Sequence, residues 1–158
     1  MGSICILTDS AVQFTQPGFA GREDVWQISY NLRLNGTILN SEEGFKSTTL
    51  PPSAGDALQP ALLVPDVRQI QQTFLDLSDR YREIIAILTS SELNPLFASA
   101  EQAAVSVRGK IPVTLIDSQS IALGLGLMVQ TAAEAAARGI NGVEIERIVR
   151  RMIPRTYS

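Results

Sequence analysis

The stretch "IIAILTSSEL", Ile84 to Leu93, decides the fold. Five apolar residues, Ile84 to Leu88, run unbroken and stop at three hydroxyls, Thr89, Ser90 and Ser91. So short and continuous a run suits a strand covered on both faces, as in a parallel sheet. The plan occurs twice more. "ICILTDS" ends in Thr8, Asp9 and Ser10, and "VTLIDSQS" ends in Asp117, Ser118 and Ser120.

The segments between these runs have helical spacing. Val67, Ile70, Phe74, Leu77 and Tyr81 recur every three or four residues, with Asp66 placed to cap them after Pro65. Leu93, Leu96 or Phe97, Ala100, Ala103 or Ala104, and Val107 predict a second helix, with Gly109 just past its end. A third is expected from about Ser120 to Arg138, ended by Gly139, and a fourth from about Val143 to Met152. "VWQISYNLRLNGTILN" suggests a strand and then a small hairpin turning at Asn35-Gly36. "KSTTLPPSAGDALQP" reads as a surface loop. Strand-helix repetition predicts a three-layer α/β sandwich with a mostly parallel sheet, in one domain spanning 1–158. Ligands in such sheets bind beyond the carboxyl ends of the strands, where all three hydroxyl-and-aspartate tips would lie.

Composition narrows the chemistry. The chain has no histidine, which removes Ser-His-Asp and Cys-His catalysis and histidine metal sites. Its formal charge of -3 gives no electrostatic footprint for nucleic acid, and there is no polybasic segment for a membrane surface. The single cysteine, Cys5, sits in the first apolar run and reads as core. The N-terminus lacks the pattern of a secretory signal, and no apolar stretch reaches 18 residues. The cytoplasm is therefore the expected compartment. Adjacent Glu42 and Glu43 have no third carboxylate at ligand spacing, so neither a metal nor a cofactor is expected.

Each tip carries two readings. Ser90 or Ser91 can cap the following helix, or their hydroxyls can hold a carboxylate or phosphate. Asp9 with Ser10, and Asp117 with Ser118, repeat the choice. The two aspartates would repel an anion, so they read as organisers that serve a backbone N–H or a water. "GLGLMV" from Gly124 puts Val129 where a dinucleotide motif needs its third glycine. Close helix packing accounts better for Gly124 and Gly126.

"ILTDS" at Ile6 to Ser10, "SSEL" at Ser90 to Leu93 followed by Ser99-Ala100, and "IDSQSIALGLGLMV" at Ile116 to Val129 together resemble the DegV family. The resemblance runs along nearly the whole chain and is firmest from Pro60 to Tyr157. It implies a carrier that binds a long-chain fatty acid, presents its carboxylate to a fatty acid kinase, and is not itself an enzyme. It also implies a second domain starting near the equivalent of "PRTYS", beyond this chain. Ser90, Ser91 and Ser10 are then the expected carboxylate contacts, with Asp9, Asp117 and Ser118 behind them.

Two departures stand out. The family pattern S-S-x-L-S-G-T-Y reads "SSELNPLF" here. The family loop P-T-T-S-Q-P-S, whose threonine binds the carboxylate, falls on Pro60 to Asp66 in the gap-free register, putting Leu62 at the threonine. A less favoured register, with an insertion of about 13 residues in a tolerant surface loop, would use Thr49 instead. Two further readings stay open: a binding or assembly module that has lost the ligand, and a serine-dependent hydrolase.

Overall fold

The computed structural model describes residues 3–34, 37–40 and 61–155. The element order is β1 (Ile4–Asp9), β2 (Val25–Ile28), β3 (Asn31–Leu34), β4 (Thr37–Asn40), β5 (Ala61–Leu63), α1 (Val67–Ser78), β6 (Glu83–Leu88), α2 (Leu96–Ser106), β7 (Val113–Asp117), α3 (Ala122–Ala137) and α4 (Gly142–Met152). Four strands form a parallel sheet in the order β2-β1-β6-β7. Side chains alternate across it. Cys5, Leu7, Ile84, Ala86 and Leu88 pack on one face with Ile70, Phe74, Leu77, Ala100 and Ala103 of α1 and α2. Ile4, Ile6, Ile85, Ile87 and Ile116 pack on the other with Leu125, Met128, Ala132, Ile145 and Val149 of α3 and α4. The period-2 alternation puts both sets of a continuous apolar run into a core, which is the expected three-layer sandwich.

The capping expectation for α1 is met in full: Asp66 Oδ1 accepts from Gln69 N at 2.9 Å, and Gln69 Oε1 accepts from Asp66 N at 2.9 Å. The hairpin is present too, with Leu34 opposite Thr37, although the Asn35-Gly36 turn itself lies outside the described residues. So do "KSTTLPPSAGDALQ", Glu42, Glu43 and Thr49. The short strand β5 was not expected. It pairs antiparallel with β3, Leu62 opposite Leu32, and completes a separate three-stranded sheet β4-β3-β5. Three residues in a proline-rich stretch carry no strand signal of their own; the pairing comes from a strand 30 positions earlier.

A second correction concerns α2. It begins at Leu96, not Leu93, and Leu93 is 58% exposed. Leu93 belongs to a turn closed by its own N–H donating to Ser90 O at 3.0 Å. Neither Ser90 nor Ser91 caps the helix. Asn94 Oδ1 instead accepts from Leu96 N at 2.9 Å, and Pro95 takes the residue before the first helical turn.

Cys5 is fully buried on β1. Burial first, and the Asp24 charge second, push its thiol from the ordinary 9.0 up to about 12. The unfolded thiol ionises from about pH 9 and the folded one only near 12, so this contribution is intact below pH 9 and is lost as pH rises toward 12. The urea midpoint should therefore fall between pH 8.5 and pH 11, and fall less in Cys5→Ala. Equal slopes for the two proteins would show that the thiol is not responsible.

Candidate functional site

The carboxyl ends of β1, β6 and β7 meet at one edge, and side-chain bonds tie them together. At the β1 tip, Asp9 is fully buried. Its Oδ2 accepts from Thr89 N at 2.8 Å, and its Oδ1 accepts from the Thr89 hydroxyl at 2.8 Å and from Ala11 N at 3.1 Å. Asp9 thus holds the β6 tip to the β1 tip. Ser10 faces the other way: its Oγ accepts from Tyr30 N at 3.0 Å, and its N–H donates to Ile28 O at 2.9 Å. Tyr30 is buried beside this pair, and Asn94 Nδ2 donates to its hydroxyl at 3.4 Å. Burial, then the neighbouring Asp9 charge, hold the Tyr30 phenol well above the ordinary tyrosine value.

At the β7 tip, Asp117 takes the donors of the β6 turn. The Ser91 hydroxyl donates to Asp117 Oδ2 at 2.5 Å, and Ser91 N donates to Oδ1 at 3.2 Å. Gln119 N also donates to Oδ1, at 3.0 Å. Ser118 N donates to Leu88 O at 3.1 Å, and its buried hydroxyl oxygen accepts from Ser120 N at 3.1 Å. Ser90 N donates to Ser120 O at 3.0 Å, and Ser90 Oγ accepts from Glu92 N at 3.3 Å. Gln119 and Ala122 both adopt positive φ, 53° and 55°, which is costly for residues with a Cβ and holds the β7–α3 loop in a sharp double turn.

These bonds shape a cleft of about 380 Å³. Ser90, Ser91, Glu92, Asp117, Gln119 and Ser120 line it, with Leu93 and Ile121 at its apolar side. Leu93 and Ile121 are 58% and 43% exposed, so their apolar surface is open at the rim. Two larger hollows lie by the opposite ends of the strands, around Lys110 to Leu115 and around Arg82, Glu83 and Gly142. The smaller one stands at the edge where parallel α/β sheets bind ligands, and hydroxyls converge there.

Of the residues expected in the site, the structure brings Ser90, Ser91 and Asp117 into the cleft, while Ser118 is buried and bonded to the lining residue Ser120. Ser10 is not among the lining residues; its hydroxyl serves Tyr30. Thr49, the contact of the less favoured register, lies outside the described residues, and the backbone of Leu62 runs in β5 rather than in a loop. Ser120 closes the "DSQS" tip in the sequence but was not placed among the contacts; the repetition of hydroxyls at that tip is the signal that points to it. Tyr30 and Asn94 have no such signal. Among the described residues no cluster of three or more His, Cys, Asp or Glu could hold a metal ion, and no helix is long and apolar enough to cross a membrane.

Comparison with known proteins agrees with this architecture. A DegV domain-containing protein of Deinococcus radiodurans is 27% identical over 154 residues, covering 96% of this chain and 53% of the relative. A DegV family protein from Thermus thermophilus, whose structure is described as showing fatty acid binding, superposes with a TM-score of 0.77 at 23% identity over 98% of this chain and 54% of its own. The Streptococcus pneumoniae fatty acid kinase B3 protein, loaded with linoleic acid, superposes with a TM-score of 0.73 at 12% identity, covering 94% and 53% of the two chains. The chain thus spans about half the length of the relatives it matches. The family model for uncharacterised proteins of the DegV family matches residues 3–158, which is nearly every residue of the sequence, and the strand-tip motifs lie at the edge where that fold gathers its polar groups: the chain belongs to the DegV family.

Proposed function

We propose that this chain carries the head-group end of a fatty-acid site, with the carboxylate in the strand-tip cleft beside Ser90 and Ser91. One observation carries the reading: the cleft joins converging hydroxyls to an exposed apolar rim. A fatty acid needs that combination, a few placed donors for the head and apolar surface for the tail. Beyond Ile121, Leu123 and Leu127 stand four apart on α3 and are 50% and 44% exposed, which gives an acyl chain apolar surface along the helix. Each methylene it buries contributes about 0.8 kcal/mol, so the tail supplies most of the affinity and the hydroxyls supply orientation. The solved relatives support the class of ligand, since the Thermus thermophilus protein binds fatty acid and the Streptococcus pneumoniae protein is loaded with linoleic acid.

The chain acts as a carrier rather than a catalyst, offering the exposed head group to a partner; the kinase component among its structural relatives makes a fatty acid kinase the partner of choice. A serine hydrolase is disfavoured by the site itself. The N–H groups of both Ser90 and Ser91 are already bonded, leaving neither to stabilise an oxyanion, and the sequence has no histidine to move the proton. Native mass spectrometry of the chain mixed with oleate should show one acid per chain, and Ile121→Glu, which puts a charge on the apolar rim, should abolish it. No uptake of any long-chain acid would overturn the reading.

A further inference from the structure

The donors around the cleft are unequally committed. Both donors of Ser91 go to Asp117, and the N–H of Ser90 goes to Ser120 O. The backbone of Ser120 is fully bonded as well: its N–H donates to Ser118 Oγ, and its carbonyl accepts from Ser90 N and from the Ser118 hydroxyl. Its own hydroxyl is not. Ser120 is only 3% exposed, its Oγ is buried, and it has no hydrogen-bond partner among the described residues. Buried hydroxyls are nearly always paired, so an unpaired one beneath a cleft calls for an explanation.

Two other features meet at the same residue. Ser120 lies inside the loop bounded by the left-handed Gln119 and Ala122, strain that keeps this residue in place against the chain's preference. It also comes just before the N-terminus of α3, a helix of 16 residues, where Ile121 occupies the cap position and makes no side-chain cap bond. The first-turn N–H groups of such a helix favour an anion.

We propose that Ser120 is the head-group anchor of the cleft, its hydroxyl donating to one carboxylate oxygen seated at the start of α3, while Asp117 keeps Ser91 as part of the wall. This rests on the fatty-acid reading above and names the atom that recognises the head. The Ser120 oxygen is buried, so binding includes one rotation of its side chain between staggered positions. Asp117 contributes by selection: a ligand cannot use the Ser91 hydroxyl without taking it from a carboxylate already bonded at 2.5 Å.

The test compares oleate with methyl oleate on the full chain, by calorimetric titration. The wild type should prefer the free acid by tenfold or more. In Ser120→Ala the preference should collapse toward one, with the urea midpoint unchanged or raised, because the substitution removes an unpaired group and no bond. Ser120→Cys, similar in size and a weak donor, should lose most of the preference too, which guards against a folding defect in the alanine variant. Ser106→Ala, whose hydroxyl donates to Gln102 O on the exposed side of α2 away from the cleft, should keep it. A wild type that binds oleate while both Ser120 variants retain full preference would overturn the anchor and leave the fatty-acid reading standing. A wild type that takes up no oleate would overturn both.

Discussion

Asp9→Ala should lower the stability of the fold by about 2 kcal/mol or more, read as a fall in the urea midpoint, since it orphans three donors, two of them buried, and a buried donor costs roughly 1 kcal/mol or more when unmet. Those donors are Thr89 N, the Thr89 hydroxyl and Ala11 N. Thr89 is 1% exposed and Asp9 fully buried, so water cannot easily replace the carboxylate. One effect opposes the loss. Taking a charged group into the interior is itself expensive, and its removal returns that cost. The donors should prevail because Thr89 N is a buried backbone N–H that cannot turn toward solvent. Asp9→Asn tests the balance: it is similar in shape but directs an NH₂ at one set of donors, so it should also destabilise. In a Thr89→Val background Asp9→Ala should cost less, by about 1 kcal/mol, because one orphan is already gone. A neutral or stabilising Asp9→Ala would mean that the charge was the greater burden. The Tyr30 phenol offers a second readout. With the Asp9 charge removed it should titrate lower, yet still above an ordinary tyrosine, because burial is the larger cause of its shift.

The same contact shows what a sequence can and cannot carry. Asp9 and Thr89 are 80 residues apart, and nothing local pairs them. What local pattern does reveal is that both sit at the ends of unbroken apolar runs. Since parallel strands must end together, the three polar tips could be placed on one edge before any pairing was known. The start of helix α1 is legible because its cap, Asp66, and its first apolar positions are adjacent in sequence, whereas Tyr81 fits the spacing but lies beyond the last helical residue, Ser78. Helix α2 starts about one turn later than the spacing predicts because Leu93 fits the spacing of Leu96 and Ala100, and spacing alone cannot tell a buried leucine from an exposed one. The deciding bonds, Leu93 N to Ser90 O and Leu96 N to Asn94 Oδ1, give the chain a turn and then a fresh start. Strand β5 takes its order from β3, and Tyr30 takes its role from Ser10, Asp9 and Asn94, all distant. That the Ser120 hydroxyl is buried without a partner among the described residues is a property of three-dimensional packing, which the sequence does not carry.

Gly126→Ala should be the second large effect, and its sign runs against helix propensity. In an open helix that exchange stabilises by about 1 kcal/mol. Here a Cβ at position 126 would lie 1.9 Å from Gln13 O and 2.8 Å from Gln13 C. The obstacle is backbone, so no rotamer change clears it; either α3 or the segment after β1 has to move. That segment is fastened at this point, with Gln13 N donating to Ala122 O at 3.2 Å, Val12 bridging to Ala122, and Phe14 packed on the α3 side of the core. Overpacking against such a fixed neighbour costs about 1–3 kcal/mol, more than the propensity gain. The displacement would reach the cleft as well, because Ala122 is the strained residue that ends the loop carrying Ser120 and Ile121. Oleate affinity should therefore drop by more than tenfold along with the urea midpoint. Gly139→Ala is the matching control: its φ is 83° but a Cβ there meets nothing within 4 Å, so it should cost only about 1 kcal/mol of backbone strain and leave oleate binding unchanged. If Gly126→Ala proved as stable as the wild type and bound oleate equally well, the close approach of α3 to the β1 tip would not be what holds the loop, and the strain at Ala122 would need another source.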